Sequence, residues 1–186
     1  MSRFIEVVGL IAATTVAVSV AAQQSTTVPP AGKTVSPSPG TAMAPTTAAT
    51  ALPLAASSNL FEIESSQLAL QRSQSPAVKE FATRMVADHT LVASKMKAVL
   101  SDAQITPPPE KLNAKHQKVY ESLKAAQGPA FDKAYIEAQY NAHVEAVNLC
   151  AAYAKNGDNA RLKALAAELL PALQRHLDHV SKLRTS

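Results

Sequence analysis

Residues 78–99 read VKEFATRMVADHTLVASKMKAV, and their apolar residues return every three or four positions. That spacing keeps side chains on one face of a helix, so the stretch predicts an amphipathic α-helix. The series consists of Val78, Ala82, Met85, His89, Val92, Met96 and Val99. Its one polar member is His89, in the middle of a face where a solvated side chain does not belong.

Two later stretches repeat this pattern with a histidine in the same kind of place. His143 falls between Gln139 and Ala146 in a helix predicted to begin near Pro129, and His176 falls between Leu173 and Val180 in the last helix. Both histidines are flanked by apolar turns on their own face. If these helices form one bundle, three imidazoles point at a shared core.

An acidic residue takes a comparable position in the first predicted helix. Glu64 lies three residues after Phe61 and four before Leu68, which places its carboxylate on their face. A buried, ionised carboxylate without a partner costs several kcal/mol, so Glu64 needs a cation, a donor or a proton. Glu64, His89, His143 and His176 are therefore the candidate metal ligands.

The composition favours an all-α fold and a single folded domain. The chain has 186 residues and no Trp, and its long segments follow the four-three helical period. We expect a helical bundle in residues 57–186, after a disordered Pro/Thr/Ala-rich linker in residues 23–56. The net charge of +4 comes from basic residues scattered along the helices, so nucleic-acid binding has little support.

The first 22 residues resemble a secretory signal peptide. Arg3 precedes an apolar and small-residue run from Val7 to Val20, and Ala21 and Ala22 provide a cleavage site. The run is short and rich in Ala and Thr for a spanning helix, so we expect cleavage and no transmembrane span in the mature chain. These features predict an exported protein, located in the periplasm or elsewhere in the cell envelope.

Punctuating residues predict four main helices and one short connecting helix. Ser57 or Ser58 caps the first helix, and Ser75 with Pro76 opens the second, which runs to about Asp102. A short helix over about 110–126 follows the three prolines at 107–109. Gly157 ends the helix that carries His143, and Asp158 is expected to cap the last one.

Three stretches carry a resemblance to a known family. They are SSNLFEIESSQLALQRSQSPAVKEFATRMVADHT (57–90), FDKAYIEAQYNAHVEAV (131–147) and ELLPALQRHLDHV (168–180). They resemble domain-of-unknown-function family 4142, exported bacterial proteins often labelled outer membrane proteins. The resemblance implies a ferritin-like four-helix bundle with an additional short connecting helix, and a cell-envelope location. It implies no reaction.

The ligand set differs from that of ferritin-like di-iron proteins, which use Glu-x-x-His motifs. The residues three before His89, His143 and His176 are Val86, Tyr140 and Leu173, so that motif is missing. A mononuclear site for a single transition metal, Zn²⁺, Cu²⁺ or Fe²⁺, fits three imidazoles and one carboxylate better. Nearby alternates are Glu62, Asp88 and His179.

Several functional alternatives follow from these residues. A buried polar network, with Glu64 accepting bonds from the histidines, would explain the same positions without a metal. The leading hypothesis is a noncatalytic envelope protein, in an envelope or stress-related role, with a buried Glu/His core that is either such a network or a site for a metal. Alternatives are a metal-dependent redox or hydrolytic enzyme, and an interaction module for an envelope or cell-wall partner. His116, beside Lys115 and near Lys118, is expected to be solvated, and Cys150 to be a structural thiol.

Overall fold

The computed structural model describes residues 47–185, and within that range the chain forms helices and no strands. The five helices are α1 (Ala48–Arg72), α2 (Pro76–Asp102), α3 (Ala114–Ala125), α4 (Gly128–Asn156) and α5 (Ala160–Thr185). Four are long and α3 is short, so the predicted all-α bundle with one short connecting helix is confirmed. None of these helices is long and apolar enough to cross a membrane.

The four long helices pack around a square. α1 packs against α2 and α4, and α5 packs against α4 and α2, which leaves α2 diagonal to α4. Contacts between α1 and α4 run in opposite directions along the chain: Ala48 meets Asp158, and Ser66 meets Tyr135. Neighbouring helices are therefore antiparallel, and α3 crosses between α2 and α4 while packing on both α1 and α4.

Two apolar clusters fill the bundle at different levels. One is built around Phe61, Phe81 and Tyr135, and the other around Leu52, Leu100 and Tyr153. On α2, α4 and α5 the three seam histidines lie between the segments that form these clusters. A polar layer thus separates the two halves of the hydrophobic core.

The first helix begins earlier than the sequence predicted. Residues 48–56, assigned to the linker, form the first turns of α1, and Thr47 caps them by accepting from the backbone N–H of Thr50. Ala51 and Leu52 are buried in the second cluster, and this burial outweighs the helix-breaking tendency of the exposed Pro53. The predicted signal peptide (1–22) and residues 23–46 of the predicted linker lie outside the described residues.

The caps confirm some predicted boundaries and correct others. Ser75 caps α2 as predicted, accepting from the backbone N–H of Val78. Asn159, not Asp158, caps α5, because its side chain accepts from the N–H groups of Arg161 and Leu162. Asp158 instead accepts from the Ala48 N–H and the Tyr153 hydroxyl, which ties the start of α1 to the α4–α5 turn.

Gly157 is required between α4 and α5 by a close side-chain approach. Its φ of −62° is open to any residue, but a Cβ there would stand 2.5 Å from Cε1 of the Tyr153 ring. A larger residue would displace that ring, which is buried in the second cluster. Glycine at this position therefore reflects packing and not a left-handed backbone.

Candidate metal centre

Three imidazoles from three helices meet in the polar layer. His89 of α2, His143 of α4 and His176 of α5 each offer a ring nitrogen, and these nitrogens lie within 4.8 Å of one another. The residues are 3%, 1% and 5% exposed, respectively. The structure thus brings together three of the four predicted ligands, in a place that bulk water hardly reaches.

His89 is fixed by a two-point contact with Asn59 of α1. The Asn59 amide nitrogen donates to the backbone carbonyl of His89 at 3.0 Å, so its amide oxygen faces the imidazole. That oxygen lies 3.0 Å from Nδ1 of His89 and can only accept, so Nδ1 carries the proton. Nε2 of the neutral ring then carries a free lone pair, which is directed away from Asn59.

The other two histidines are held in the same manner by acceptors outside the cluster. Nδ1 of His143 lies 2.9 Å from the backbone carbonyl of Gln139, one turn earlier in α4. Nε2 of His176 lies 2.8 Å from Oδ2 of Asp88 in α2. Since a carbonyl and a carboxylate only accept, each ring donates outward and keeps its second nitrogen free.

The second nitrogens have no hydrogen-bond partner within residues 47–185. They are Nε2 of His89, Nε2 of His143 and Nδ1 of His176. Burial lowers the pKa of all three imidazoles, that of His143 to about 4, so the rings are neutral at pH 7. Three buried lone pairs without a donor are costly, since an unsatisfied buried group costs about 1–3 kcal/mol.

The spacing of the rings matches that of imidazoles around one ion. The ring centroids lie 5.6 Å apart for His89 and His143, 5.6 Å for His89 and His176, and 5.4 Å for His143 and His176. Three imidazoles bound through nitrogens at about 2.0–2.1 Å, with tetrahedral to trigonal angles, have centroids about 5.2–5.5 Å apart. The centroid distances therefore fit imidazoles around one ion, and binding would draw the ring nitrogens, which lie within 4.8 Å of one another, to about 3.3–3.6 Å.

A buried carboxylate lies behind His143, on the side away from the cluster. Glu62 is 1% exposed, and its Oε1 lies 3.6 Å from Nδ1 of His143. Neither carboxylate oxygen has a hydrogen-bond partner in the described chain, and the amide oxygen of nearby Gln139 has none either. Burial raises the pKa of Glu62 well above its usual value, an effect that the Gln139 side chain offsets only in part.

Glu64, the fourth predicted ligand, does not join this group. It is only partly buried, whereas Glu62 and Ser65 are buried. The helical spacing is satisfied equally well by the series Phe61, Ser65, Leu68 and by the series Phe61, Glu64, Leu68. The pattern therefore left open which of two faces of α1 is buried. The buried face of α1 is the one that carries Glu62, which the sequence supplied only as an alternate.

His116 is not solvated, contrary to the expectation drawn from its basic neighbours. It is 7% exposed, stacks on Phe61 and shares a 2.7 Å hydrogen bond with Ser57. Ser57 also accepts from the backbone N–H of Asn113, and it is 2% exposed. The Ser57–His116 hydrogen bond thus joins α3 to α1. The Ser57 hydroxyl is too deeply buried for a substrate to reach it as a nucleophile.

The residues that orient the imidazoles were the ones that sequence reasoning missed or underrated. Asn59 was not singled out, although it shares a helix face with Glu62 and Ser66 at steps of three and four. Asp88, given only as an alternate ligand, reaches α5 and bonds to His176. His179, another alternate, packs edge-on against Phe81 and is not part of the three-histidine group. Its spacing from His176 alone could not show this.

These features define a helical-bundle protein with a buried three-histidine cluster. A family model described as "Domain of unknown function (DUF4142)" matches residues 33–183, and the chain therefore belongs to that family. A solved structure titled "CopM in the Cu(II)-bound form" is similar, with a TM-score of 0.63 and 17% identity over 75% of this chain and 96% of that chain. At that identity the likeness shows the fold alone. No curated protein matches this sequence.

Proposed function

We propose that this protein binds one divalent transition-metal ion through Nε2 of His89, Nε2 of His143 and Nδ1 of His176. The observation that carries the proposal is the direction of the three ring protons. All three are donated outward, to Asn59, to the Gln139 carbonyl and to Asp88, so three lone pairs are left for one cation.

This arrangement also weighs against a purely structural polar network. A network would place an N–H of one ring against a lone pair of the next, and the described hydrogen bonds contain no such pair. Outward donation to amide, carbonyl and carboxylate oxygens is the arrangement that usually orients metal-binding histidines in proteins. A metal ion would offset the cost of the unsatisfied nitrogens.

The donor set favours copper or zinc. Neutral imidazole suits Cu²⁺ and Zn²⁺, and for a given set of nitrogen ligands Cu²⁺ binds most tightly among the divalent first-row ions. The similar fold of a protein whose structure is titled as Cu(II)-bound agrees with this choice. Fe²⁺, also considered from the sequence, usually takes carboxylate ligands, and Glu64 is not in the group.

Burial favours carriage or storage of the ion over catalysis. A redox or hydrolytic enzyme has to bring a substrate to its metal, whereas these imidazoles are 1–5% exposed. Together with the signal-like residues 1–22, this supports an exported metal-binding protein of the cell envelope, in a role such as metal stress. We propose no enzymatic reaction.

The test is equilibrium dialysis of the untagged protein against Cu²⁺ and, separately, Zn²⁺, followed by elemental analysis. We expect about one ion per chain, and loss of that ion in His143→Leu, which removes a ligand whose only hydrogen-bond partner is a backbone carbonyl. His179→Gln is the matched control, because it removes a histidine outside the cluster. Equal metal content in His143→Leu and wild type, or none in either, would overturn the proposal.

A further inference from the structure

The outward hydrogen bonds of the three histidines differ in their access to solvent. Asn59 is 8% exposed, and the Gln139 residue that supplies the carbonyl to His143 is fully buried. The Asp88 side chain, by contrast, is 45% exposed, although its Oδ2 lies 2.8 Å from the buried His176. Asp88 therefore joins the cluster to the surface.

On the side of the second apolar cluster, the seam between α2 and α5 carries no fully buried residue close to His89. None of residues 90–99 of α2, which begin directly after His89, is buried, and on α5 none of residues 167–172 is buried, a stretch that ends one turn before His176. The two helices are joined there by exposed polar contacts, namely Lys95 with Glu168 and Arg161 with the Asp102 carbonyl. Such surface contacts contribute little to stability.

The opposite seam, between α1 and α4, is tightly closed. Ser66 bonds to Tyr135, and Gln139 bonds to Ser65, all in the buried interior. Phe61 and Phe131 pack in the same cluster. An ion that crossed this seam at that level would have to separate fully buried side chains, whereas on the α2–α5 side the Asp88 side chain that holds His176 already reaches solvent.

We propose that Asp88 is the latch of the metal centre: its hydrogen bond holds His176 closed over the cluster, and the ion enters and leaves when His176 swings away from Asp88 on the α2–α5 seam. The inference rests on the proposed metal binding. Asp88 is then a positioning residue that acts through His176. It governs the rate of exchange and does not bind the ion itself.

A latch has a kinetic signature that a purely structural hydrogen bond lacks. Loss of an interaction that only stabilises the bound state raises the dissociation rate and leaves the association rate unchanged. Loss of the latch raises both rates, because the open state becomes more populated before the ion arrives. A charge-assisted hydrogen bond is strong enough that its removal should accelerate loading about tenfold.

The natural competitor is an entrance on the other side of α2. A groove of about 390 Å³ runs between α1, α2 and the segment after α2, and Asn59 is one of its lining residues together with Leu60, Met96 and Pro107. Asn59 holds His89 as Asp88 holds His176, at a similar distance. Asn59→Ala is therefore a matched control, because it removes the hydrogen bond that orients His89 and lies beside this other entrance.

The experiment is stopped-flow loading of the untagged apo protein with Zn²⁺ in about 0.15 M salt, with a chromophoric chelator to follow both loading and removal. We expect Asp88→Ala to accelerate both loading and removal of the ion about tenfold. Asp88→Asn keeps a hydrogen-bond acceptor, so its two rates should stay near those of the wild type. Asn59→Ala should accelerate removal alone. Unchanged loading in Asp88→Ala, slower loading in both Asp88 variants, or faster loading only in Asn59→Ala would each overturn the latch. Absence of equilibrium zinc and copper binding would overturn the proposed function with it, whereas normal binding with unaltered rates would overturn the latch alone.

Discussion

Two layers of this bundle, seven residues apart, occupy equivalent positions and have opposite chemistry. One contains His89, His143 and His176; the other contains Met96, Cys150 and Leu169. Seven residues are two helical turns, about 10 Å along the axis. Met96, Cys150 and Leu169 line one cavity of about 60 Å³ between the four long helices, which confirms that they lie at a common level.

The apolar layer shows what the fold requires at these positions. The Met96 and Cys150 side chains pack there against the second cluster, and Leu169 lines the same cavity. Burial raises the pKa of the Cys150 thiol to about 11, so the thiol stays protonated. The histidine layer instead holds three unsatisfied ring nitrogens. Since the same helices pack without imidazoles two turns away, helix packing at this spacing does not by itself require the histidines, as the proposed metal site would.

The largest effect should come from making the histidine layer apolar at one position. His143→Leu should raise the stability of the metal-free protein by about 1–3 kcal/mol, because it removes an unsatisfied nitrogen, and the Gln139 carbonyl that it bonded keeps its helical partner while Glu62, 3.6 Å away, has no hydrogen bond to lose. It should also abolish stabilisation by metal, which for the wild type is about 4 kcal/mol when free Cu²⁺ is 1,000 times its dissociation constant. Urea denaturation with and without Cu²⁺ measures both the stability of the metal-free protein and its stabilisation by metal. A variant less stable than wild type without metal would show that the imidazole is structural.

The reciprocal change should have an effect of opposite sign, without the additional loss of stabilisation by metal. Cys150→His places an imidazole in the apolar layer, where the neighbouring lining residues are Met96 and Leu169. We expect a loss of about 1–3 kcal/mol from an unsatisfied ring nitrogen in an apolar site. Urea denaturation beside Cys150→Ala, which adds no polar group, separates this cost from lost packing. Equal stability of the two variants would contradict the contrast between the layers.

The pH dependence of the metal-free protein should report the two kinds of buried group. Folding lowers the pKa of His143 to about 4, so between that pH and about 6.5 the unfolded chain binds more protons and stability rises with pH. Glu62 has a raised pKa, so above about 4.5 the folded state keeps a proton that the unfolded chain has lost, and its contribution falls with pH. Denaturation in chelator from pH 4.5 to 6.5 should therefore give a steeper rise for Glu62→Gln than for wild type, and a shallower one for His143→Leu. Parallel curves for all three would refute these assignments.

The smallest effect should come from the surface beside the apolar layer. Lys95 and Glu168 form an ion pair there, with side chains 39% and 56% exposed. Removal of Lys95 by substitution with Ala should change stability by less than about 0.5 kcal/mol, because exposed pairs are screened and mobile. A loss as large as that of a core variant, measured in urea, would mean that this pair and not the core joins α2 to α5.

The sequence predicted the bundle and the buried positions of His89, His143 and His176 because each histidine lies in a long, regular apolar seam. His89, with Met85 before it and Val92 after it, allows only one phase of α2. The first helix is less regular: Glu62, Glu64, Ser65 and Ser66 are all polar, and spacing alone could not choose among them. Only packing against Gln139 and Tyr135 of α4 selects the buried face.

Other differences arose where neighbouring residues competed for one role. Asp158 and Asn159 are both good caps, and tertiary contacts with Ala48 and Tyr153 draw Asp158 away from α5. His116 is buried because α3 packs on α1, a long-range contact that local charge cannot reveal. The hydrogen bonds of Asp88 and Asn59 are likewise long-range contacts that the local sequence cannot reveal, because their partners lie 88 and 30 residues away in the chain.

The central claim is that the ion lies in the histidine layer and not among the sulfurs two turns away. X-ray absorption at the metal edge of the Cu²⁺- or Zn²⁺-loaded protein tests this most directly, because nitrogen and sulfur ligands differ in distance. The account predicts three imidazole nitrogens at about 2.0–2.1 Å and no sulfur. A thiolate ligand at about 2.3 Å, which in the apolar layer Cys150 would supply, or a shell of oxygens alone, would contradict it.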